Sequence, residues 1–216
     1  SNPTQAVNFI GTEMVRALVM SAHVFSLFED QQGVASYWTI LWEHSIAVAS
    51  LAQRIAASEK CAKGLVEESF TAGLLHEIGK LVLLAQMPKE YDAILTAFAE
   101  KSATVAAAER ERLGCTHADL GGYLMSIWGL PHPLIHAVAY HDHPSESLDK
   151  RFSSLTAVHF ADAISSSANP SLILQDVELD DRYLQEVGLS GREIGWRGLY
   201  EQQAEQARMA ASKGGL

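Results

Sequence analysis

Apolar residues recur at spacings of three and four along almost the whole chain, which is the pattern of helices that bury one face. Alternation of apolar and β-branched residues of the strand type does not persist, and no Asn-Gly hairpin turn occurs. The sequence therefore predicts an all-α fold. The predicted helices cover residues 4–29, 35–59, 63–85, 88–101, 103–113, 116–128, 132–141, 149–168, 180–188 and 190–211.

The length of 216 residues allows one large domain or two small ones. With 48% hydrophobic and 19% charged residues, the composition is that of a folded globular protein with a sizeable core. Asn169-Pro170 ends a long predicted helix, and a polar stretch follows at 175–181. These breaks predict a helical core over residues 1–168 and a C-terminal helical appendage over 169–216.

The net charge of the chain limits the kinds of macromolecule that we expect it to bind. A net charge of −10 disfavours non-specific binding to DNA or RNA, because such binding needs a basic surface. No run of about 18 apolar residues predicts a membrane span. The two cysteines form no disulfide framework or zinc motif, and this usage fits a cytoplasmic protein.

The feature most informative about function is the sequence Gly-Leu-Leu-His-Glu-Ile-Gly-Lys at 73–80, inside a run that is otherwise apolar. His76, Glu77 and Lys80 are costly to bury there unless they find partners. Possible partners lie far apart along the chain. They are His44, His117, His141 and Asp162.

Helical spacing places several of these residues on apolar faces. His44 shares a face with Leu41 and Val48, and Asp162 shares one with Leu155 and Val158. Imidazole and carboxylate groups are ligands of divalent transition metals, so convergence of these helices would form a metal site.

Simpler alternatives remain open for each residue. An inward His44 can be a core histidine bonded to a backbone carbonyl, and Glu77 can pair with Lys80 one helical turn away. His159 and Asp162 can bond each other in the same way.

A series of motifs occurs in an order that resembles the HDOD domain, the HD-related output domain, from about residue 6 to 166. The motif at 73–80 follows Trp-Glu-His-Ser at 42–45 and precedes a Leu-Gly-Cys-Thr-His segment beginning at 113. Trp-Gly-Leu-Pro at 128–131, His-Asp-His-Pro at 141–144 and His-Phe-Ala-Asp at 159–162 complete the series. The start of the chain resembles the middle of the family pattern, so we expect the usual N-terminal helical portion to be absent.

The resemblance implies a bacterial, all-helical bundle of the HD superfamily, related to HD phosphohydrolases and HD-GYP phosphodiesterases. HDOD domains commonly accompany receiver or other sensory domains, and most are regarded as lacking hydrolase activity. The resemblance also implies a set of ligands for a divalent ion such as Fe, Mn, Zn, Ni or Co, with Lys80 as a catalytic group only in an active enzyme. The implied metal ligands are His44, His76, Glu77, His117, His141 and Asp162.

This chain departs from the HD pattern at two of the matching positions. Glu77 stands where the family has aspartate, and Asp142 stands where the family has the second histidine of a pair. Both side chains can still ligate a metal, although the longer Glu77 disfavours a two-metal site. No Gly-Tyr-Pro motif follows position 144, so hydrolysis of cyclic di-GMP is not expected.

Three functions are therefore compatible with the sequence. The leading interpretation is a non-catalytic signal-transduction output module that acts through protein partners or a bound small ligand. The second is a metal-dependent phosphohydrolase or phosphodiesterase acting on a nucleotide or another phosphate ester. The third is a sensor that binds a nucleotide or a metal without turnover.

Overall fold

The computed structural model describes residues 35–101, 104–168 and 177–213, together with Val15 and Val19. All regular secondary structure within these ranges is helical, which confirms the all-α prediction there. The helices are α1 (Ala35–Ser58), α2 (Lys63–Leu75), α3 (Ile78–Gln86), α4 (Pro88–Lys101), α5 (Val105–Leu113), α6 (His117–Ile127), α7 (His132–Tyr140), α8 (Ser154–Ala168), α9 (Asp181–Glu186) and α10 (Glu193–Lys213), with a 3₁₀ turn at Pro144–Glu146.

The single helix predicted over 63–85 is wrong, because the chain breaks between α2 and α3 at His76 and Glu77. The His76 imidazole donates its Nδ1–H to the backbone oxygen of Gly73 at 2.6 Å. In an uninterrupted helix that oxygen would accept the amide hydrogen of Glu77. The side chain of His76 therefore replaces one backbone bond and lets the chain turn at the two functional residues.

The helix predicted over 149–168 begins later, at Ser154. Asp149 accepts hydrogen bonds from the backbone and the guanidinium of Arg151, which holds the preceding residues in a turn. The helix predicted over 4–29 lies outside the described residues except for Val15 and Val19.

The core forms where α1 packs against α2 and α8, and where α7 packs against α2, α6 and α8. The buried face of α1 repeats at helical spacing through Leu41, Val48, Leu51 and Ile55. His44 lies on this same stripe, so the packing that buries the leucines also buries the imidazole.

A glycine permits the close approach of α3 to α6. A Cβ atom at Gly79 would overlap the backbone carbonyl of His117. Any larger residue would separate the two helices, so Gly79 holds the α2–α3 junction next to the start of α6.

The C-terminal residues 177–213 pack against the core. Trp196 on α10 is buried, donates its Nε1–H to Glu59 at 3.0 Å and lies edge-on to Phe160 on α8. The boundary predicted between residues 168 and 169 adjoins a segment outside the described residues and stays a prediction. None of the described helices has both the length and the apolar character of a membrane span.

Candidate metal centre

Side chains from widely separated elements meet in the centre of the bundle. Two of them come from the middle of long helices, and the others from helix ends, where the backbone turns. They are His44 of α1, His76 and Glu77 between α2 and α3, His117 at the start of α6, His141 and Asp142 after α7, and Asp162 of α8. Each of these side chains is at most 7% exposed.

The first part of the cluster contains His44, His76, Glu77 and Asp162. His44 Nε2 lies 2.9 Å from Asp162 Oδ1 and 3.3 Å from His76 Nε2. His76 Nε2 lies 3.8 Å from Asp162 Oδ1 and 3.9 Å from Glu77 Oε1. Two imidazoles and two carboxylates thus direct nitrogen and oxygen atoms toward one small volume.

The second part contains His117, His141, Asp142 and the other oxygen of Glu77. His117 Nε2 lies 3.3 Å from His141 Nε2, 3.3 Å from Asp142 Oδ2 and 3.5 Å from Glu77 Oε2. His141 Nε2 is 3.4 Å from Asp142 Oδ1. Glu77 therefore faces both parts of the cluster, with one oxygen toward each.

Two of the histidines are oriented by the same local device. His76 and His141 are the C-cap residues of α2 and α7, and each donates its Nδ1–H to the carbonyl three residues earlier. Because a carbonyl can only accept, the hydrogen of each neutral ring is on Nδ1. The Nε2 lone pair of each ring consequently points into the cluster.

His117 is oriented by a different partner, Glu109, which our sequence interpretation missed. Glu109 Oε2 accepts from the Nδ1–H of His117 at 2.7 Å and from its backbone N–H at 2.8 Å. The sequence carried a signal for this residue, since Glu109 is one turn from both Val105 and Leu113 and so lies on the apolar side of α5.

The contact between His117 and His141 requires a hydrogen or a metal ion between the two rings. Both rings donate their Nδ1–H to acceptors, so two Nε2 lone pairs would face each other across 3.3 Å if both rings were neutral. Either a proton or a metal ion between them relieves the repulsion. Two nitrogens bound to one tetrahedral Zn²⁺ at about 2.0–2.1 Å are themselves about 3.3–3.4 Å apart.

Buried oxygens without hydrogen-bond donors support the same conclusion. Among the described residues, Glu77 Oε2, Asp142 Oδ2 and Asp162 Oδ2 are buried and accept no hydrogen bond. Leaving such a group unsatisfied costs about 1–3 kcal/mol, and more when it is charged. Histidine nitrogens and carboxylate oxygens are the donors that divalent transition metals bind, so the residues present fit such an ion.

In the second part of the cluster, neighbouring charges outweigh the effect of burial on the pKa values of His117 and Asp142. Burial alone would lower the pKa of His117, but the carboxylates of Glu109, Asp142 and Glu77 raise that pKa to about 9. Burial would raise the pKa of Asp142, but His141 and His117 lower it to about 2. Asp142 is thus a carboxylate at neutral pH and remains available to a cation.

The simpler alternatives are partly confirmed. Lys80 Nζ donates to Glu77 Oε1 at 2.6 Å, so the helical ion pair is present within the core. His44 pairs with Asp162 and not with a backbone carbonyl. His159 donates its Nδ1–H to His141 O and accepts from the backbone N–H of Asp180, so its two nitrogens bond elsewhere than Asp162.

Two surface cavities border the cluster at Asp142 and His143. One, of about 300 Å³, is also lined by Arg110, Asp119 and Glu146. The other, of about 230 Å³, is lined by Glu178 and Asp180 among others. Carboxylates outnumber basic side chains in both cavities, so the surroundings favour cations over anions.

The sequence matches the model of the HDOD domain over residues 1–144. The chain belongs to the HDOD family. Solved structures with the same fold include an HDOD domain protein of unknown function from Geobacter sulfurreducens, with a TM-score of 0.67 and 22% identity, covering 97% of this chain and 72% of that chain. A candidate phosphohydrolase from Shewanella amazonensis SB2B has a TM-score of 0.60 and 22% identity, and the match covers 91% of this chain and 76% of that chain.

A candidate signal transduction protein from Marinobacter aquaeolei VT8 gives a TM-score of 0.61 with 20% identity, and the match covers 81% of the HDOD chain and 38% of that protein. An uncharacterised protein of Treponema pallidum (strain Nichols) is 24% identical over 99 residues, 46% of this chain. The matched segment spans 19% of the Treponema protein.

Proposed function

We propose that this HDOD domain is a non-catalytic signal-transduction output module whose core binds a divalent metal ion. The observation that carries the proposal is the buried set of His117, His141 and the carboxylate oxygens beside them. The two Nε2 atoms lie 3.3 Å apart, next to Glu77 Oε2 and Asp142 Oδ2, which accept no hydrogen bond. A divalent ion would replace the proton between the two rings and would also satisfy the buried Oε2 of Glu77 and Oδ2 of Asp142.

The residues that would hold the ion are those of the two parts of the cluster. The set offers imidazole nitrogen and carboxylate oxygen in similar numbers, which suits Fe, Mn, Zn, Ni or Co. When bound, such an ion supplies a Lewis acid that binds anionic or lone-pair groups. The proposed ligands are His44, His76, Glu77, His117, His141, Asp142 and Asp162.

Burial of the centre argues against phosphoester hydrolysis. Lys80, which would contact a phosphate in an active relative, is 1% exposed and donates to Glu77. Among the charged side chains that line the cavities reaching Asp142, carboxylates outnumber basic groups, and this balance disfavours an anionic phosphate ester. A domain with this arrangement is better suited to holding an ion than to admitting a nucleotide.

The proposed partners are signalling proteins or a linked sensory or receiver domain. Membership of the HDOD family supports this, as does the name of the Marinobacter structure, a candidate signal transduction protein. A small ligand such as a nucleotide, bound without turnover, is the other route by which such a module could act.

A second candidate function is metal-dependent phosphohydrolysis. The observation in its favour is Glu77, whose two oxygens face the two parts of the cluster as a shared ligand of two ions would. Two similar structures carry the name of a phosphohydrolase, at 22% and 18% identity. In this case Lys80 would steady the phosphate of the substrate.

Turnover of phosphate esters separates the two functions. Protein supplied with Mn²⁺, Fe²⁺ or Zn²⁺ would be assayed on bis-p-nitrophenyl phosphate and on a panel of nucleotides, beside His76→Ala and Asp162→Ala. We expect no rate above that of the two variants. Turnover that is lost in both variants while their helical content persists would establish the hydrolase and overturn the proposal.

A further inference from the structure

Glu109 lies at the junction of three helices, and its contacts are all buried. Its Oε2 atom accepts two hydrogen bonds from His117, and its Oε1 atom accepts from the Tyr91 hydroxyl at 2.6 Å. Glu109 and Tyr91 are fully buried, and His117 is 1% exposed. The carboxylate thereby connects α4 and α5, which supply none of the proposed ligands, to a histidine that faces the centre.

The two hydrogen bonds to His117 have different consequences. The bond from the backbone N–H satisfies a donor at the first turn of α6, as a helix cap does. The bond from Nδ1–H fixes the orientation of the ring, keeps a hydrogen on Nδ1 and directs the Nε2 atom toward His141. A carboxylate behind an imidazole also makes the ring a stronger donor to a metal.

We propose that Glu109 is a positioning residue of the metal centre: it fixes the orientation and tautomer of His117, and Tyr91 holds its carboxylate in place. The inference rests on the metal binding proposed above. Glu109 is not among the proposed ligands, so its effect on the centre passes through His117, which it contacts directly.

The alternative is that Glu109 only caps α6 and fills the core. A capping residue changes the stability of the fold, but it leaves the affinity and the coordination geometry of the centre unchanged. Stability and metal binding therefore have to be measured separately on the same variants.

The test is a titration of the full chain with Co²⁺, followed by visible absorption and by competition with a chelator. Glu109→Gln keeps the shape of the side chain and removes its charge. We expect Co²⁺ affinity about 10–100-fold below that of the wild type, with a shifted absorption spectrum. Glu111→Gln, at an exposed site on the same helix, is the matched control and should bind as the wild type does.

Tyr91→Phe is a second variant that keeps the proposal testable if Glu109→Gln fails to fold. It removes one hydrogen bond to Glu109 and retains the aromatic ring in the core. We expect a smaller loss of Co²⁺ affinity, at the lower end of the same range.

The outcomes distinguish this inference from the proposed function. A wild type that binds no Co²⁺ would overturn both. A second outcome is that the wild type binds Co²⁺ while Glu109→Gln and Tyr91→Phe bind it with the affinity and the spectrum of the wild type. That result would overturn only the positioning role. Lower thermal stability without any change in affinity would assign Glu109 to the cap alone.

Discussion

His117 and His141 face each other through their Nε2 atoms at 3.3 Å, while each donates its Nδ1–H to an oxygen on the far side of its ring. This arrangement directs both Nε2 atoms to one point. Glu77 Oε2 and Asp142 Oδ2 are buried beside that point and accept no hydrogen bond. On the proposed function, we expect the folded state to bind a divalent ion in this centre more tightly than the unfolded chain does.

Metal binding should accordingly stabilise the fold. An ion at 100 times its dissociation constant adds about 2.7 kcal/mol to the free energy of unfolding. For a chain of this size that corresponds to a rise in Tm of about 2–4 °C per kcal/mol. Thermal unfolding with and without added Zn²⁺ or Mn²⁺, after removal of chelator, measures the effect. His141→Ala should abolish it, and an equal rise in that variant would place the ion elsewhere.

Lys80→Met should destabilise the protein strongly. The substitution leaves the Glu77 carboxylate buried without the Lys80 ammonium, and breaking a buried ion pair in this way costs about 3–5 kcal/mol. Chemical denaturation measures the loss. Adding Glu77→Gln to the same chain should recover part of it, because the unpaired charge disappears.

The matched control for Lys80→Met is Lys63→Met. Lys63 pairs with Glu67 at the surface, where its side chain is 62% exposed. An exposed pair contributes less than about 1 kcal/mol. Similar losses for the two lysine variants would contradict the account of a buried, charge-sensitive centre.

Gly79→Ala should damage both the fold and the centre. A Cβ atom at this position overlaps the carbonyl of His117, so α3 and α6 must separate. Overpacking of this kind costs about 1–3 kcal/mol, and it also displaces Glu77 from His117. Gly198→Ala on α10 is the control, because nothing lies near its added Cβ. In unfolding experiments, the free energy of unfolding should rise by about 0.5–1 kcal/mol for the control and fall for Gly79→Ala.

Glu68 provides a pH-dependent contribution away from the centre. Burial raises the pKa of this carboxyl above its ordinary value of 4.5, although the hydrogen bond from Ser154 opposes the shift. The folded protein therefore holds this proton more tightly than the unfolded chain does. Its contribution to stability is fully present below pH 4.5 and is lost as the pH rises through the raised pKa.

Glu68→Gln removes that titration and retains a group that can accept from Ser154. The stability of the variant relative to the wild type should increase between pH 4 and 7, with Glu67→Gln on the same helix as the comparison. If the stability of Glu68→Gln relative to the wild type stays constant or falls with rising pH, the raised pKa of Glu68 is contradicted. Unfolding in urea at several pH values measures it.

The all-α fold could be predicted because the signals that define each helix lie within a short stretch of sequence. Apolar spacing on α1 identifies the face that carries His44, and the glycine and proline breaks identify most helix ends. The inward placement of His117 and Asp162 followed from the same rule, and the structure brings them together with the other predicted residues. Their role as metal ligands stays a prediction.

The features that the sequence did not predict depend on contacts between separate helices, or on a side chain that competes with the backbone for a hydrogen-bond acceptor. The break at His76 arises because its own imidazole takes the Gly73 carbonyl, which apolar periodicity does not register. Glu109 meets Tyr91 and His117 only after three helices have packed. The orientation of His159 toward Asp180 likewise depends on the C-terminal segment and not on the spacing within α8.

The most direct test of the central claim is elemental analysis of protein purified without chelator. Fe, Mn, Zn, Ni and Co would be measured in the wild type and in His76→Ala, with circular dichroism to compare their folding. The account predicts at least about one ion per chain in the wild type and its loss in the variant. A folded wild type that contains no metal and melts as His76→Ala does would contradict it.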